Sequence, residues 1–110
     1  MIVTITQYLR PHGRKSVYKM KIPDTYNGID LTVKYAALEA CGCHLACEQL
    51  RTGEVIHYIS HKLGDFAIVN SPAFNEHVAG VMLLKILSEF DVVAFASWLR
   101  TIEADTPGTC

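Results

Sequence analysis

Three of the four cysteines and three of the five histidines of this chain lie between Cys41 and His61, in the run CGCHLACEQLRTGEVIHYISH. Side chains of these two types make zinc ligands, redox pairs and nucleophile–base couples, so chemistry is sought here first. Cys43-x3-Cys47-x9-His57-x3-His61 approaches a two-cysteine, two-histidine zinc pattern, although its central spacer is short. The surrounding residues oppose that use. VIHYIS is β-branched and aromatic and predicts a strand, in which residues four apart stand about 13 Å from one another at ~3.3 Å rise per residue. His57 and His61 then cannot share an ion whose ligand bonds are ~2 Å long, and an extended Cys43 to Cys47 separates its thiols likewise. No metal and no cofactor is expected. A zinc-binding module on 43–61 stands as an alternative that only a helical segment would restore.

Cys41, with His44 close by, is the next candidate, as a nucleophile. It falls at the end of a predicted helix, where the partial negative charge of the helix terminus raises a thiol pKa that catalysis needs lowered. Cys41-x-Cys43 lacks the two-residue spacer of a thioredoxin-like pair, and Cys110 lies in the terminal tail. No serine has a nucleophile-elbow context and no glycine-rich loop precedes a helix. The chain is therefore expected not to be an enzyme, with no catalytic residue.

Charge points elsewhere. The net charge is -1, yet residues 1–22 carry Arg10, Arg14, Lys15, Lys19 and Lys21 with no acidic side chain, +5 against -6 for the rest. A basic end suits a polyanion or an acidic protein surface, while a pI near 6.5 argues against a dedicated duplex-DNA binder. Arg10, His12, Arg14, Lys15, Lys19 and Lys21 are the candidate partner- or phosphate-binding residues, with Tyr8 or Tyr18 available to stack on a base. The competing use of such residues is protection of a sheet edge by lysine.

The elements that must position these groups are legible from periodicity. Met1 to Leu9 and Ser16 to Ile22 alternate as strands and flank the turn residues Pro11 and Gly13, predicting a basic-tipped hairpin ended by Pro23. Asp30 caps a helix through Cys41, with Val33, Ala36, Ala37, Ala40 and Cys41 as a small apolar face laid on a sheet and Gly42 as its stop. Cys43–Leu50, Val55–Ser60 and Phe66–Val69 follow as a three-stranded meander. Ser71-Pro72 predicts a second helix to about Phe90, carrying one apolar face through Ala79, Leu83 and Ile86 and another through Phe74, Val78, Val81 and Leu84. Asp91 caps a third helix with Val92, Phe95, Ala96, Trp98, Leu99 and Ile102 in one stripe; a strand over Val92 to Ala96 is the competing assignment.

The fold class is thus α+β, a mostly antiparallel sheet of about five strands in the order β-β-α-β-β-β-α-α with helices on one face. Residues 1–105 are expected to form one domain and 106–110 a flexible tail. No apolar run approaches the ~18 residues of a membrane span and the amino terminus lacks a signal pattern, which predicts a cytoplasmic protein.

Tyr8-Leu9-Arg10-Pro11-His12-Gly13-Arg14, with Gly42-Cys43 and the Thr52-Gly53-Glu54-Val55 turn, resembles a family of short uncharacterised open reading frames of phages and bacterial mobile elements, over about residues 2 to 88. The resemblance implies a context and no activity. Small phage proteins of this kind often bind and block a host protein, including in anti-defence roles.

The expected function is accordingly non-enzymatic protein–protein binding, as an inhibitor of a host or defence protein. The apolar interface expected for it comprises Phe74, Val78, Val81, Leu84, Phe95, Trp98 and Ile102, a set equally suited to a homodimer. Single-stranded nucleic-acid or phosphate binding through the basic hairpin 10–21 is the alternative.

Overall fold

The computed structural model describes residues 1–9, 14–71 and 76–105. Alternation in the first segments forms β1 (Ile2–Leu9) and β2 (Arg14–Lys21), which pair antiparallel from Ile2↔Lys21 to Leu9↔Arg14. A small hairpin of β3 (Thr25–Tyr26) and β4 (Ile29–Asp30) follows. Its turn is Asn27-Gly28, with φ of 51° and 78°, the left-handed pair that matches a two-residue turn to strand twist.

Asp30 then caps α1 (Leu31–Ala40), its carboxylate accepting the amides of Thr32 at 3.0 Å and Val33 at 3.3 Å. The helix stops at Gly42, whose φ of 81° lets its amide reach the Glu39 carbonyl while the Cys43 amide reaches that of Leu38. These two bonds are the Schellman pattern, and its usual apolar contact is available in Leu38 and Cys43, both buried.

β5 (His44–Gln49), β6 (Val55–His61) and β7 (Gly64–Ser71) form the meander, and α2 (Glu76–Glu89) and α3 (Val92–Asp105) complete the chain. The sheet order is β2-β1-β5-β6-β7. All neighbours are antiparallel except β1 and β5, which run parallel with Ile5 opposite Leu45. β2 returns the chain to the starting end of β1, and the β3–β4 hairpin and α1 carry it past β1 at that end, so β5 enters in the same direction as β1. The fold is α+β with a mostly antiparallel five-stranded sheet, and β3 and β4 add a second, two-stranded sheet.

One contiguous core fills the space between the sheet and the helices. Val3, Ile5, Met20, Leu45, Cys47, Val55 and Ile59 meet Leu31 and Leu38 of α1, Leu83, Ile86 and Leu87 of α2, and Val92 and Phe95 of α3. Extents of 45 × 38 × 19 Å match two layers, one sheet and one layer of helices. No described helix packs on the opposite face, which carries the alternate residues Thr4, Thr6 and Tyr8 of β1 and Lys15, Val17, Lys19 and Lys21 of β2.

The structure bears on three sequence expectations. Ser71 is the last residue of β7: it pairs with Val55, its hydroxyl donates to the Val55 carbonyl, and it lies 3.2 Å from His57 Nε2. α2 is described from Glu76, and the predicted helix start at Pro72 falls on residues outside those described. Second, the small apolar face of α1 is not laid on the sheet, as developed below. Third, the expected helix after Asp91 forms over Val92–Asp105 in place of the competing strand over Val92 to Ala96: Asp91 accepts the Ala94 amide at 2.9 Å and the stripe beyond it is continuous.

β7 also carries an unforeseen bulge. His57 pairs with Val69 and Ile59 with Phe66, so Ala67 and Ile68 together oppose Tyr58, and Ala67 sits at φ 54°. That conformation is usually given to glycine.

Candidate partner-binding groove

α1 carries two apolar stripes, and the fold uses one. Leu31, Tyr35 and Leu38, spaced i, i+4 and i+7, turn inward; the two leucines are buried, and the Tyr35 hydroxyl accepts the Thr4 amide at 2.9 Å. The second stripe, Val33, Ala37, Ala40 and Cys41, faces α3. Bulk explains the choice, since leucine and tyrosine remove more apolar area from water per residue than alanine or valine.

Across from the second stripe stand Phe90, Val92, Val93 and Ala96, at and beyond the α2–α3 corner, and a groove of about 700 Å³ separates the two sides. Val33 is 63% exposed and Val93 79%, among the highest values for large apolar side chains in the structure. The alanines leave the floor open to close approach by another backbone. Charges of both signs stand around it: Lys34, Glu89, Asp91 and Arg100. Lys34 is anchored, donating from Nζ to the Ser88 carbonyl at 2.9 Å at the carboxyl end of α2, where a cation is favoured. The groove walls are therefore fixed by helix caps and by this cross-link, while Val33 and Val93 on them stay exposed.

The residues anticipated for function are distributed otherwise. Lys15, Lys19 and Lys21 are exposed in one row along the helix-free face of β2, and Arg14 is the first residue of that strand. Arg10 and His12 lie outside the described residues, as does Phe74. Val81 is exposed and, with Leu84, faces Met20 and Ile22 across a second groove of about 480 Å³; Val78 is half-buried. Phe95 is buried at the centre of an aromatic cluster with His61, Phe66, Phe90 and Trp98, ring centroids 5.1–5.6 Å away, so it supports the surface instead of forming it. Trp98 is 42% exposed and Ile102 half-buried at the margin of that cluster.

Strand geometry separates the cysteines and histidines. Cys47 is directly opposite His57 in the β5–β6 pair, and Cys43, just before β5, falls in line with His61 four residues along. Among the described residues no group of three or more His, Cys, Asp or Glu side chains could hold a metal ion. Burial pushes the Cys47 thiol up, against a hydrogen bond from Tyr18, and burial followed by the neighbouring Cys41 pushes Cys43 up to about 11. Burial also holds the His57 imidazole below its ordinary value. Protonated thiols beside a neutral ring are core residues and not a nucleophile with its base.

Val33, Ala37 and Ala40 were visible in the sequence as an apolar stripe, but not as an open one. The stronger Leu31–Tyr35–Leu38 stripe beside them was the signal that they would be displaced from the sheet. A scan against protein-family models and searches of curated proteins and of solved structures give no match for this chain.

Proposed function

We propose that this protein is a non-enzymatic binding module that captures an amphipathic helix of a partner protein in the groove between α1 and α3. The observation that carries this reading is the exposure of Val33 and Val93 on facing walls of an apolar groove whose floor is alanine. Two helices with small residues between them accept a third helix at close range, and α1, ten residues long, matches about three turns of a guest. Charges of both signs at the rim suit the polar flanks of such a helix. The phage-like resemblance suggests a host or defence protein as the source of that helix.

A photo-crosslinking residue placed at Val93, with Lys19 on the far face as control, tests this in host lysate. The expected result is a partner crosslinked from position 93, not from 19, and lost in Val33→Asp, which leaves the fold intact. Equal capture from both positions, or capture unaffected by Val33→Asp, would refute the reading.

A second reading rests on the row of Lys15, Lys19 and Lys21, none of which has an ion pair with a described carboxylate. Such a row, beside Tyr8 on β1, suits the phosphates of a single-stranded nucleic acid. It predicts binding of oligo-dT or oligo-U that weakens steeply with salt and with Lys19→Gln, Lys21→Gln. A flat anisotropy titration at low salt removes it.

A further inference from the structure

The β6–β7 turn and the last turns of α3 enclose a separate cavity of about 340 Å³, the least voluminous of those described above. Its wall includes the imidazole of His61, only 8% exposed. The ring is held on three sides. Its plane meets Phe95 edge-on at 5.3 Å, its Nδ1 accepts the Leu63 amide at 3.1 Å, and its Cδ2–Nε2 edge faces Gly42. Because Nδ1 accepts, the ring proton of the neutral form sits on Nε2. That N–H has no acceptor among the described residues, keeps contact with solvent, and lies on the ring edge beside Gly42, which lines the same cavity.

Three further features define what could meet it. Leu63, Leu99 and Ile102 supply an apolar lining, and Lys62 and Glu103 bring opposite charges to the same cavity without pairing with each other. An N–H donor beside a cation suits a carboxylate, an unpaired carboxylate suits an ammonium, and aliphatic walls suit an aliphatic side chain. The volume lies at the small end of ligand pockets, ~300–1,000 Å³.

We infer that this cavity binds a free aliphatic α-amino acid, its carboxylate on His61 Nε2 and Lys62, its ammonium toward Glu103, and its side chain against Leu63, Leu99 and Ile102. The site is separate from the α1–α3 groove and does not depend on the function proposed for it. A free amino acid is favoured over a peptide because the two charged groups must arrive on one small molecule.

The test titrates the full chain with L-leucine, with 4-methylpentanoate, which lacks the amine, and with 3-methylbutylamine, which lacks the carboxylate, following amide and imidazole resonances. Leucine is expected to give saturable shifts centred on Gly42, His61, Leu63 and Ile102, and His61→Phe to weaken it about tenfold or more, as loss of a charge-assisted hydrogen bond does. Glu103→Gln should weaken leucine and leave 4-methylpentanoate unchanged, and Lys62→Gln should weaken both and leave 3-methylbutylamine unchanged. These last two positions are exposed, so the charge variants decide the matter even where His61→Phe fails to fold. No saturable response to leucine, or charge variants that act equally on all three probes, overturns the assignment.

Discussion

Leu38→Ala and Val33→Ala, one turn and a fraction apart on α1, should separate what holds the fold from what is left for a partner. Leu38 is fully buried and packs in the core, where truncation to alanine removes transfer energy and leaves a cavity, costing about 2–5 kcal/mol. In a domain of this size that lowers the melting temperature by on the order of 10 °C or more. Val33 is 63% exposed, so about a third of the ~1.5 kcal/mol of full valine burial is at stake, near 0.5 kcal/mol. Alanine returns about the same amount through its higher helix propensity, giving a net change of about zero. Urea unfolding of the two variants, followed by circular dichroism at one slope, measures both numbers. A Val33→Ala loss comparable to that of Leu38→Ala would show that the α1–α3 stripe bears the fold, and the argument for an open groove would collapse. Capture of a crosslinked partner from position 93 should respond in the opposite order among folded proteins, sensitive to position 33 and indifferent to conservative changes at 38.

Ala67→Gly should stabilise the protein: relief of a left-handed backbone worth ~1–2 kcal/mol outweighs the ~0.4–1 kcal/mol of extra chain entropy, and a thermal scan should rise by a few degrees. A fall in melting temperature would mean that the bulge is not left-handed at that residue. Stability should decline in two acid steps. His57 is held below its ordinary value by burial, so the unfolded chain binds the proton more readily, and stability falls as pH drops below about 6.5. The Asp30 carboxylate is held down by hydrogen bonds from the Thr32 side chain and the Val33 amide; its contribution is full above the unfolded value near ~4 and is lost at lower pH. His57→Gln should flatten only the first step and Asp30→Asn only the second, read from urea midpoints against pH. Iodoacetamide at neutral pH should modify Cys41 while Cys43 and Cys47, buried and with raised pKa values, resist until urea is added; mass mapping showing native modification of Cys47 would contradict its place in the core.

Much of the candidate site was present in the sequence as pattern without meaning. The Val33–Ala37–Ala40 stripe is apparent at helical spacing, but a helix of ten residues can bury only part of its circumference against one layer. Which stripe that is depends on what the opposing elements offer. His61 was read as one of four potential metal ligands. The tautomer and seating of its ring follow from a hydrogen bond made by Leu63 around a turn and from the ring of Phe95, thirty-four residues away in sequence. The bulge at Ala67 carried no glycine to announce it, and the Asn27-Gly28 turn, the commonest short hairpin signal, lay in a stretch too brief to show alternation on either side.

The elements themselves were determined locally, and for that reason the sequence by itself was enough. Alternation in Ile2–Leu9, the caps at Asp30 and Asp91, and the stop at Gly42 each depend on residues within a turn or two, and backbone hydrogen bonding admits few other outcomes. The strand over His57 and His61 was likewise legible, and its ~3.3 Å rise per residue holds the two imidazoles apart. Tertiary structure alone decided the parallel pairing of β1 with β5, the capture of Ser71 by the sheet, and the orientation of α1 that leaves Val33 and Val93 facing each other. Those outcomes turn on contacts between residues tens of positions apart, where the competing arrangements share the same local pattern and differ only in how much apolar area they bury and which polar groups they satisfy.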